Sequence, residues 1–277
     1  MAGPRYAVFG QPISHSLSPR IHAMFGAQLG IGVDYRAIEA GRDEFSVKLD
    51  AFARDGGVGA NVTLPLKQDA FALCAEVSDR ARRCGSVNTL IRAGDSWRGD
   101  STDGSGFLRD VATRHAFDPR GHACLLLGAG GAARAVAFAL VDAGAHLAIV
   151  NRTHERAREL AASVGAGARA LTSSELDGAA FDLVVHATAA GHATATFEWP
   201  SSFIRSDTLC YDLSYGDAAA AFLRWSRAAG ATRASEGLGM LVEQAADSFT
   251  IWHALRPDTA PVLAALRGDT PPSLAGA

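Results

Sequence analysis

An apolar strand that runs straight into a glycine turn and then a helix leaves a chain few folds to choose from. Here Cys124-Leu-Leu-Leu127 enters Gly128-Ala129-Gly130-Gly131-Ala132-Ala133, a Gly-x-Gly-x-x-Ala turn. An alanine-rich helical run follows, and Leu147-Ala-Ile-Val150 supplies a second apolar strand. Two strands joined by one crossover helix form a βαβ unit, which commits this region to an α/β sheet. The glycines let the backbone turn tightly and approach a pyrophosphate where a Cβ would intrude. The helix that begins near Gly131 directs its unbonded N–H groups and positive dipole end at that phosphate. A glycine fingerprint alone says little, but between two strands and ahead of a helix it marks a dinucleotide site.

The end of the second strand decides which dinucleotide. An acidic residue about 20 positions past the fingerprint takes the ribose 2′-hydroxyl of NAD. This chain carries Asn151-Arg152-Thr153 there, Arg156 one turn later, and no carboxylate before Glu155. Planar, permanently charged guanidiniums suit a 2′-phosphate, so the pattern reads as NADP(H). The competing reading makes Arg152, Arg156 and Arg158 an ordinary solvated helix face.

The chain's 277 residues allow two domains with separate cores. A net charge of -3 gives no global attraction to nucleic acid or to an anionic membrane surface. Met1-Ala-Gly-Pro-Arg5 passes directly into Tyr6-Ala-Val-Phe9, too short for the apolar region of a signal peptide. The most apolar window, 123–150, contains Arg134 and Asp142 and is not a membrane span. Cys74, Cys84, Cys124 and Cys210 lack C-x-x-C spacing, so they read as reduced thiols of a cytoplasmic protein and not as a metal site.

Tyr6-Ala-Val-Phe-Gly10 reads as a first strand, followed by a loop and a helix with Ile21, Met24, Phe25 and Leu29 at helical spacing. Ser18-Pro19 has the form of an N-cap and first helical position, and Ser16 and Ser18 together could hold a carboxylate at that helix start. Val33 to Ile38 is a second strand, and Asp43 to Phe52 a helix. The strand Val58-Gly-Ala-Asn61-Val ends among Thr63, Pro65 and Lys67, polar groups at the strand end where α/β sheets bind ligands. Taken alone, Lys67 is a surface lysine. A hairpin turns at Gly94-Asp95, and Asp103 precedes a helix from Phe107 that it could simply cap, with Gly104 and Gly106 suited to a hinge. Beyond the fingerprint, Phe181 to Thr188 and Thr208 to Leu213 are further strands, Phe222 to Ala229 a helix, and Glu236 onward a long helix through Trp252. A small-residue tail, 270–277, closes the chain. A cofactor domain in mid-chain, 104–237, leaves residues 1–103 and the C-terminal helices of 238–277 to build a substrate-binding lobe, with the active site expected in the cleft between lobes.

These residues resemble the shikimate dehydrogenase family. The carriers are Tyr6-Ala-Val-Phe-Gly, His15-Ser-Leu-Ser-Pro, Gly59-Ala-Asn-Val-Thr-Leu-Pro-Leu-Lys67, Val87-Asn-Thr-Leu, Thr102-Asp-Gly, Gly128-Ala-Gly-Gly-Ala, Asn151-Arg-Thr and Gly237-Leu-Gly-Met-Leu-Val-Glu-Gln244. The resemblance implies a two-lobed α/β enzyme, an αβ substrate domain plus a Rossmann-type domain, that interconverts 3-dehydroshikimate and shikimate with NADP(H) on the route to aromatic amino acids. It assigns Lys67 and Asp103 as the catalytic pair, which reverses the reading of Lys67 as surface charge. It assigns Ser16 and Ser18 to the substrate carboxylate, and Asn61, Thr63, Asn88, Tyr215 and Gln244 to substrate binding or to the Lys–Asp pair. Cofactor contacts fall to Gly128, Ala129, Gly130, Gly131, Ala132, Asn151, Arg152, Thr153, Arg156, Thr188, Gly237 and Met240. The family contains both monomers and homodimers.

Three departures stand out. The nicotinamide loop, commonly Asn-Ala-Thr-Ser-x-Gly in the family, is His186-Ala-Thr188-Ala-Ala-Gly191 here, and His186 reads as a satisfied core histidine. Tyr215-Gly-Asp-Ala-Ala-Ala-Ala-Phe222 replaces a Lys-Thr-Pro-Phe segment, and the turn chemistry there is expected to be lost. Ser101 stands where asparagine is usual. A member with quinate activity, or a silent binding relative, is compatible with those changes, although Lys67 and Asp103 are intact.

Overall fold

A computed structural model describes residues 4–188 and 199–268, which form two six-stranded sheets. Each sheet belongs to its own unit: Met1–Gly106 with Leu241–Ala277 make the first, and Phe107–Met240 the second. The tail 270–277 and Ala189 to Gly191 of the nicotinamide loop lie outside the described residues.

In the first unit the strands are β1 (Arg5–Gly10), β2 (Asp34–Glu39), β3 (Gly57–Val62), β4 (Glu76–Val77), β5 (Thr89–Ala93) and β6 (Ser96–Asp100). They run in the order β2-β1-β3-β5-β6-β4. β1 is parallel to β2 and β3, whereas β5 and β6 form the antiparallel hairpin, turned by Gly94 with φ +59°. Alternation along β1 sorts its side chains to two faces. Phe9 meets Phe45 and Phe52 edge-on at 5.7 Å, contacts worth about 0.5–1.5 kcal/mol each beyond area burial. Tyr6 packs on Trp252 at 4.7 Å. That contact comes from the C-terminal chain, and Trp252 Nε1 also donates to the Leu90 carbonyl at 3.0 Å.

The helices of this unit are α1 (Ser18–Leu29), α2 (Arg42–Arg54), α3 (Lys67–Leu73) and α4 (Asp79–Cys84). Next, α5 (Asp103–His115) leads out of it. Ser18 is not the cap of α1: Leu17 occupies that position, no side chain caps the end, and Ser18 lies inside the first turn. Helix α5 starts at Asp103 itself, four residues before the expected Phe107, and the Asp103 oxygens bond Lys67 and Asn88 instead of capping it.

The second unit is parallel throughout: β7 (Ala123–Leu127), β8 (His146–Val150), β9 (Ala168–Ala170), β10 (Leu183–His186), β11 (Leu209–Asp212) and β12 (Arg233–Ser235). The order is β12-β11-β10-β7-β8-β9, two mononucleotide-binding halves that diverge between β7 and β10. Helices α6 (Gly131–Asp142), α7 (His154–Val164) and α8 (Asp217–Ala228) complete it. The start of α8 corrects one expectation. The helix begins at Asp217, five residues before the expected Phe222: the alanines of 218–221 form its first turns, entered through Gly216 with φ +63° and carrying Asp217 at the dipole's positive end. Helix α9 (Leu238–His253) begins in the second unit and ends in the first, and α10 (Thr259–Gly268) follows. Among the described residues no helix is long and apolar enough to cross a membrane.

Candidate active site

Strands β1 and β3 are parallel neighbours, so the loops after them leave the same edge of the sheet. Backbone bonds clasp these loops: Thr63 N–H donates to Phe9 O and Gln11 N–H to Leu64 O, both at 2.9 Å. The first loop carries Ser16 and Ser18, and the second carries Thr63 and Lys67. Ser16 Oγ accepts from Ser18 N–H at 3.3 Å, which folds the two hydroxyl residues together at the start of α1, where no acidic side chain opposes an anion.

Lys67 opens α3, and its Nζ donates to Asp103 Oδ2 at 2.5 Å. The side chains are 12% and 5% exposed, so this is a largely desolvated ion pair whose remaining lone pairs must be satisfied internally. Asn88 does so. Its Nδ2 lies 2.9 Å from Asp103 Oδ1, 3.1 Å from Gln244 Oε1 and 2.9 Å from Thr102 Oγ1. Its Oδ1 accepts from Thr102 N–H at 2.8 Å and from Thr89 Oγ1 at 3.0 Å. Gln244 is fixed in turn by Nε2 donating to Leu241 O at 2.8 Å.

Asn61 braces the other side. Its Nδ2 reaches Ser248 Oγ at 2.9 Å and Asn88 O at 3.1 Å, and its Oδ1 accepts from Tyr35 OH at 2.8 Å. Such a closed network of buried polar groups rigidifies what it holds, because a half-satisfied one is costly. Its node is Asn88, and Lys67 joins it through Asp103. Gly106 makes the assembly fit: a Cβ there would stand 2.7 Å from Gln244 N and 2.9 Å from its Cα, so the glycine serves close packing.

Tyr35, Thr89, Thr102 and Ser248 join the site; Thr89 and Thr102 lie within the quoted motifs without a role assigned there, and the sequence context of Tyr35 and Ser248 does not mark them. Thr102 adjoins Asp103, and Ser248 lies one turn after Gln244 on the same helix face, which is the one periodic clue available. His22 is equally unmarked. It is fully buried, stacks on Tyr35 at 4.3 Å, and burial pushes its pKa down to about 3 against a smaller opposing effect of Asn61.

The second unit presents the glycine fingerprint at its divergence point. Gly128 follows β7 with φ +125°, and a Cβ there would sit 2.7 Å from the Ala187 carbonyl at the end of β10. Gly130 differs. Its φ of -79° suits any residue and, among the described residues, no atom beyond its chain neighbours lies within 4 Å of a Cβ built on it. Neither strain nor packing explains that glycine, whereas close approach of a pyrophosphate does. Ala129 packs on the core, Gly131 and Ala132 open α6, and the α6 N-terminus has no side-chain cap.

At the end of β8, Asn151 Nδ2 donates to Thr153 O at 2.9 Å, shaping the turn into α7. Arg158 pairs with Glu155 at 3.2 Å and belongs to the solvated face. Arg152 and Arg156 are exposed and have no carboxylate partner among the described residues. These features fit a dinucleotide carrying a 2′-phosphate. Thr188 follows β10, Tyr215 follows β11, and Gly237 N–H is held by Ser214 O at 2.7 Å, while Met240 N–H is held by Tyr211 OH at 3.3 Å. Tyr211 in turn donates to Asp110, which also pairs with Arg114.

Family models cover most of the chain. Residues 8–90 match the shikimate dehydrogenase substrate binding domain, 110–215 the shikimate/quinate 5-dehydrogenase domain and 237–267 the shikimate 5′-dehydrogenase C-terminal domain. The chain belongs to the shikimate dehydrogenase family. It is 55% identical over 260 residues to the NADP(+) shikimate dehydrogenase of Stenotrophomonas maltophilia K279a, covering 92% of both chains. The counterpart in Xanthomonas euvesicatoria is 54% identical over 268 residues, covering 94% of both. Among solved structures, the family's member from Thermus thermophilus, in complex with NADP(H) and shikimate, is 36% identical with a TM-score of 0.85, over 96% of this chain and 99% of that one.

Proposed function

We propose that this chain catalyses the reversible reduction of 3-dehydroshikimate to shikimate with NADPH, and that Lys67 and Asp103 carry the proton chemistry. The supporting observation is the desolvated Lys67–Asp103 pair, held at a sheet's ligand-binding edge by Asn88 and Gln244. NADPH supplies the hydride. Lys67 Nζ then meets the negative charge developing on the ketone oxygen and gives it a proton; in the oxidative direction its neutral amine takes the hydroxyl proton. Asp103 fixes where Nζ points and offers an acceptor to a neighbouring hydroxyl. In this reading Ser16 and Ser18 bind the substrate carboxylate, Thr63, Asn88, Gln244 and Tyr215 its hydroxyls, and Asn61 keeps Asn88 in place. Gly128 to Ala132 take the pyrophosphate, while Asn151, Arg152, Thr153 and Arg156 take the 2′-phosphoadenosine end. Thr188, Gly237 and Met240 take the nicotinamide end. We place the protein in the cytoplasm, with a homodimer as the macromolecular association to look for by light scattering.

Steady-state oxidation of shikimate and of quinate, each with NADP+ and with NAD+, tests the assignment. Shikimate with NADP+ is expected to give the highest kcat/KM. A preference for quinate, or for NAD+, would reject it.

A further inference from the structure

The residue that departs from the family at the end of β10 is built into a buried relay. His186 and Asp212 end the adjacent strands β10 and β11, and each is 1% exposed. His186 Nδ1 lies 2.9 Å from Asp212 Oδ2, and Nε2 lies 2.5 Å from Thr188 Oγ1. Phe222 of α8 stacks on the ring at 5.0 Å. The other Asp212 oxygen accepts from Ser214 N–H at 2.8 Å, and Ser214 O holds Gly237 N–H. One carboxylate therefore anchors the His186 ring and the turn that supports Gly237.

The proton inventory gives this relay a direction. A carboxylate only accepts, so the Nδ1 facing Asp212 carries the ring proton. On the neutral ring Nε2 is then a lone pair, and the Thr188 hydroxyl must donate to it. That spends the only proton on Thr188 Oγ1, and its free lone pairs can do nothing except accept. The location is specific as well. Thr188 N lies 3.2 Å from where a Gly128 Cβ would be, at the divergence of the two nucleotide-binding halves. Arg152 and Arg156 stand on the β8 half, so Thr188 stands on the half that receives the other end of a dinucleotide.

We propose that His186 is a positioning residue for the nicotinamide half of the cofactor: held by Asp212, it takes the Thr188 proton and leaves Thr188 Oγ1 as a pure acceptor for an N–H or O–H donor on that half. The carboxamide amine and the ribose hydroxyls share that chemistry. The inference rests on the NADP(H) reading above, and its test separates the two.

Isothermal titration calorimetry compares NADP+, its 3-acetylpyridine analogue, which has no amide N–H, and 2′,5′-ADP, which has no nicotinamide half. Thr188→Val and His186→Phe, which keeps a ring against Phe222 and removes the acceptor for Thr188, should each weaken NADP+ roughly five- to tenfold. Both should leave 2′,5′-ADP unchanged, which also reports an intact fold, and Thr188→Ser should bind NADP+ within twofold of the parent. Because the two residues act as one unit, the double variant should be no weaker than either single one. Analogue binding insensitive to Thr188→Val identifies the carboxamide amine as the donor; equal sensitivity identifies the ribose. Thr188→Val binding NADP+ like the parent, losing 2′,5′-ADP equally, or combining additively with His186→Phe would overturn the relay and leave the cofactor reading standing. Parent protein that binds neither NADP+ nor 2′,5′-ADP would remove the cofactor reading itself.

Discussion

Replacing Asp103 by asparagine changes one atom and one charge, and the surrounding geometry sets the cost. The two Asp103 oxygens face donors on both sides, Lys67 Nζ at 2.5 Å and Asn88 Nδ2 at 2.9 Å. Whichever way the new amide is turned, its NH2 confronts another donor. Asn88 cannot flip to relieve this, because its Oδ1 already accepts from Thr102 N–H and Thr89 Oγ1. The loss is at least one charge-assisted hydrogen bond, about 2 kcal/mol, in a nearly dry setting. If the same interaction holds Nζ at the ketone oxygen in the transition state, kcat for shikimate oxidation should fall roughly 30- to 100-fold. The melting temperature should drop by about 5 °C. Stopped-flow or steady-state absorbance at the reduced-nicotinamide band reads the rate, and differential scanning calorimetry the stability. An Asp103→Asn protein with kcat within threefold of the parent and an unchanged melting temperature would refute the assignment of Asp103 and the network built around it.

Other substitutions test separate parts of the structure. Lys67→Ala should lower kcat by orders of magnitude while shikimate affinity measured by calorimetry changes little; near-parental turnover would take Lys67 out of the mechanism. Arg152→Ala should weaken NADP+ at least tenfold and NAD+ hardly at all, and equal losses would make Arg152 surface charge. Gly106→Ala pushes a methyl against Gln244 backbone at 2.7 Å and should cost about 1–3 kcal/mol in urea denaturation, with a raised KM for shikimate; an unchanged midpoint would show that α9 yields freely. His22 titrates near pH 3 when folded and about 6.5 when unfolded, so only the unfolded chain binds its proton in between. Its contribution is complete above pH 6.5 and is lost as pH falls toward 3, amounting to about 2 kcal/mol at pH 5. His22→Phe should therefore flatten the pH 4–6 stability slope by one proton, and an unaltered slope would contradict the burial argument.

What the sequence reveals tracks how local each piece of chemistry is. The glycine turn, its flanking strands and the arginines after β8 are contiguous, and their spacing carries the geometry. Lys67 is the opposite case: on its own it looks like surface charge, and its value comes from Asp103, 36 residues away, and from Asn88 and Gln244. The bond from Asn61 to Ser248 spans 187 residues, and amides and hydroxyls have no periodic signature to betray it. The edge strands β4, β9 and β12 are two or three residues long, too short for alternation to register. Ser18 shows a boundary error of one residue, enough to convert a cap into a first-turn residue. Helix α8 starts at Asp217 and not at Phe222, in keeping with the helix propensity of the four consecutive alanines between them.

The discontinuous first unit imposes an order on biosynthesis. Residues 107–240 are synthesised before Gln244 and Ser248, so every strand of the parallel sheet precedes the C-terminal partners of Asn61 and Asn88 in the order of translation. A nascent chain can complete its nucleotide-binding unit early, yet Asn88, which holds Asp103 against Lys67, gains its Gln244 contact only once α9 has emerged. A polypeptide interrupted after residue 240 would thus have the whole parallel sheet and a loosened ion pair, which ties catalytic competence to completed translation.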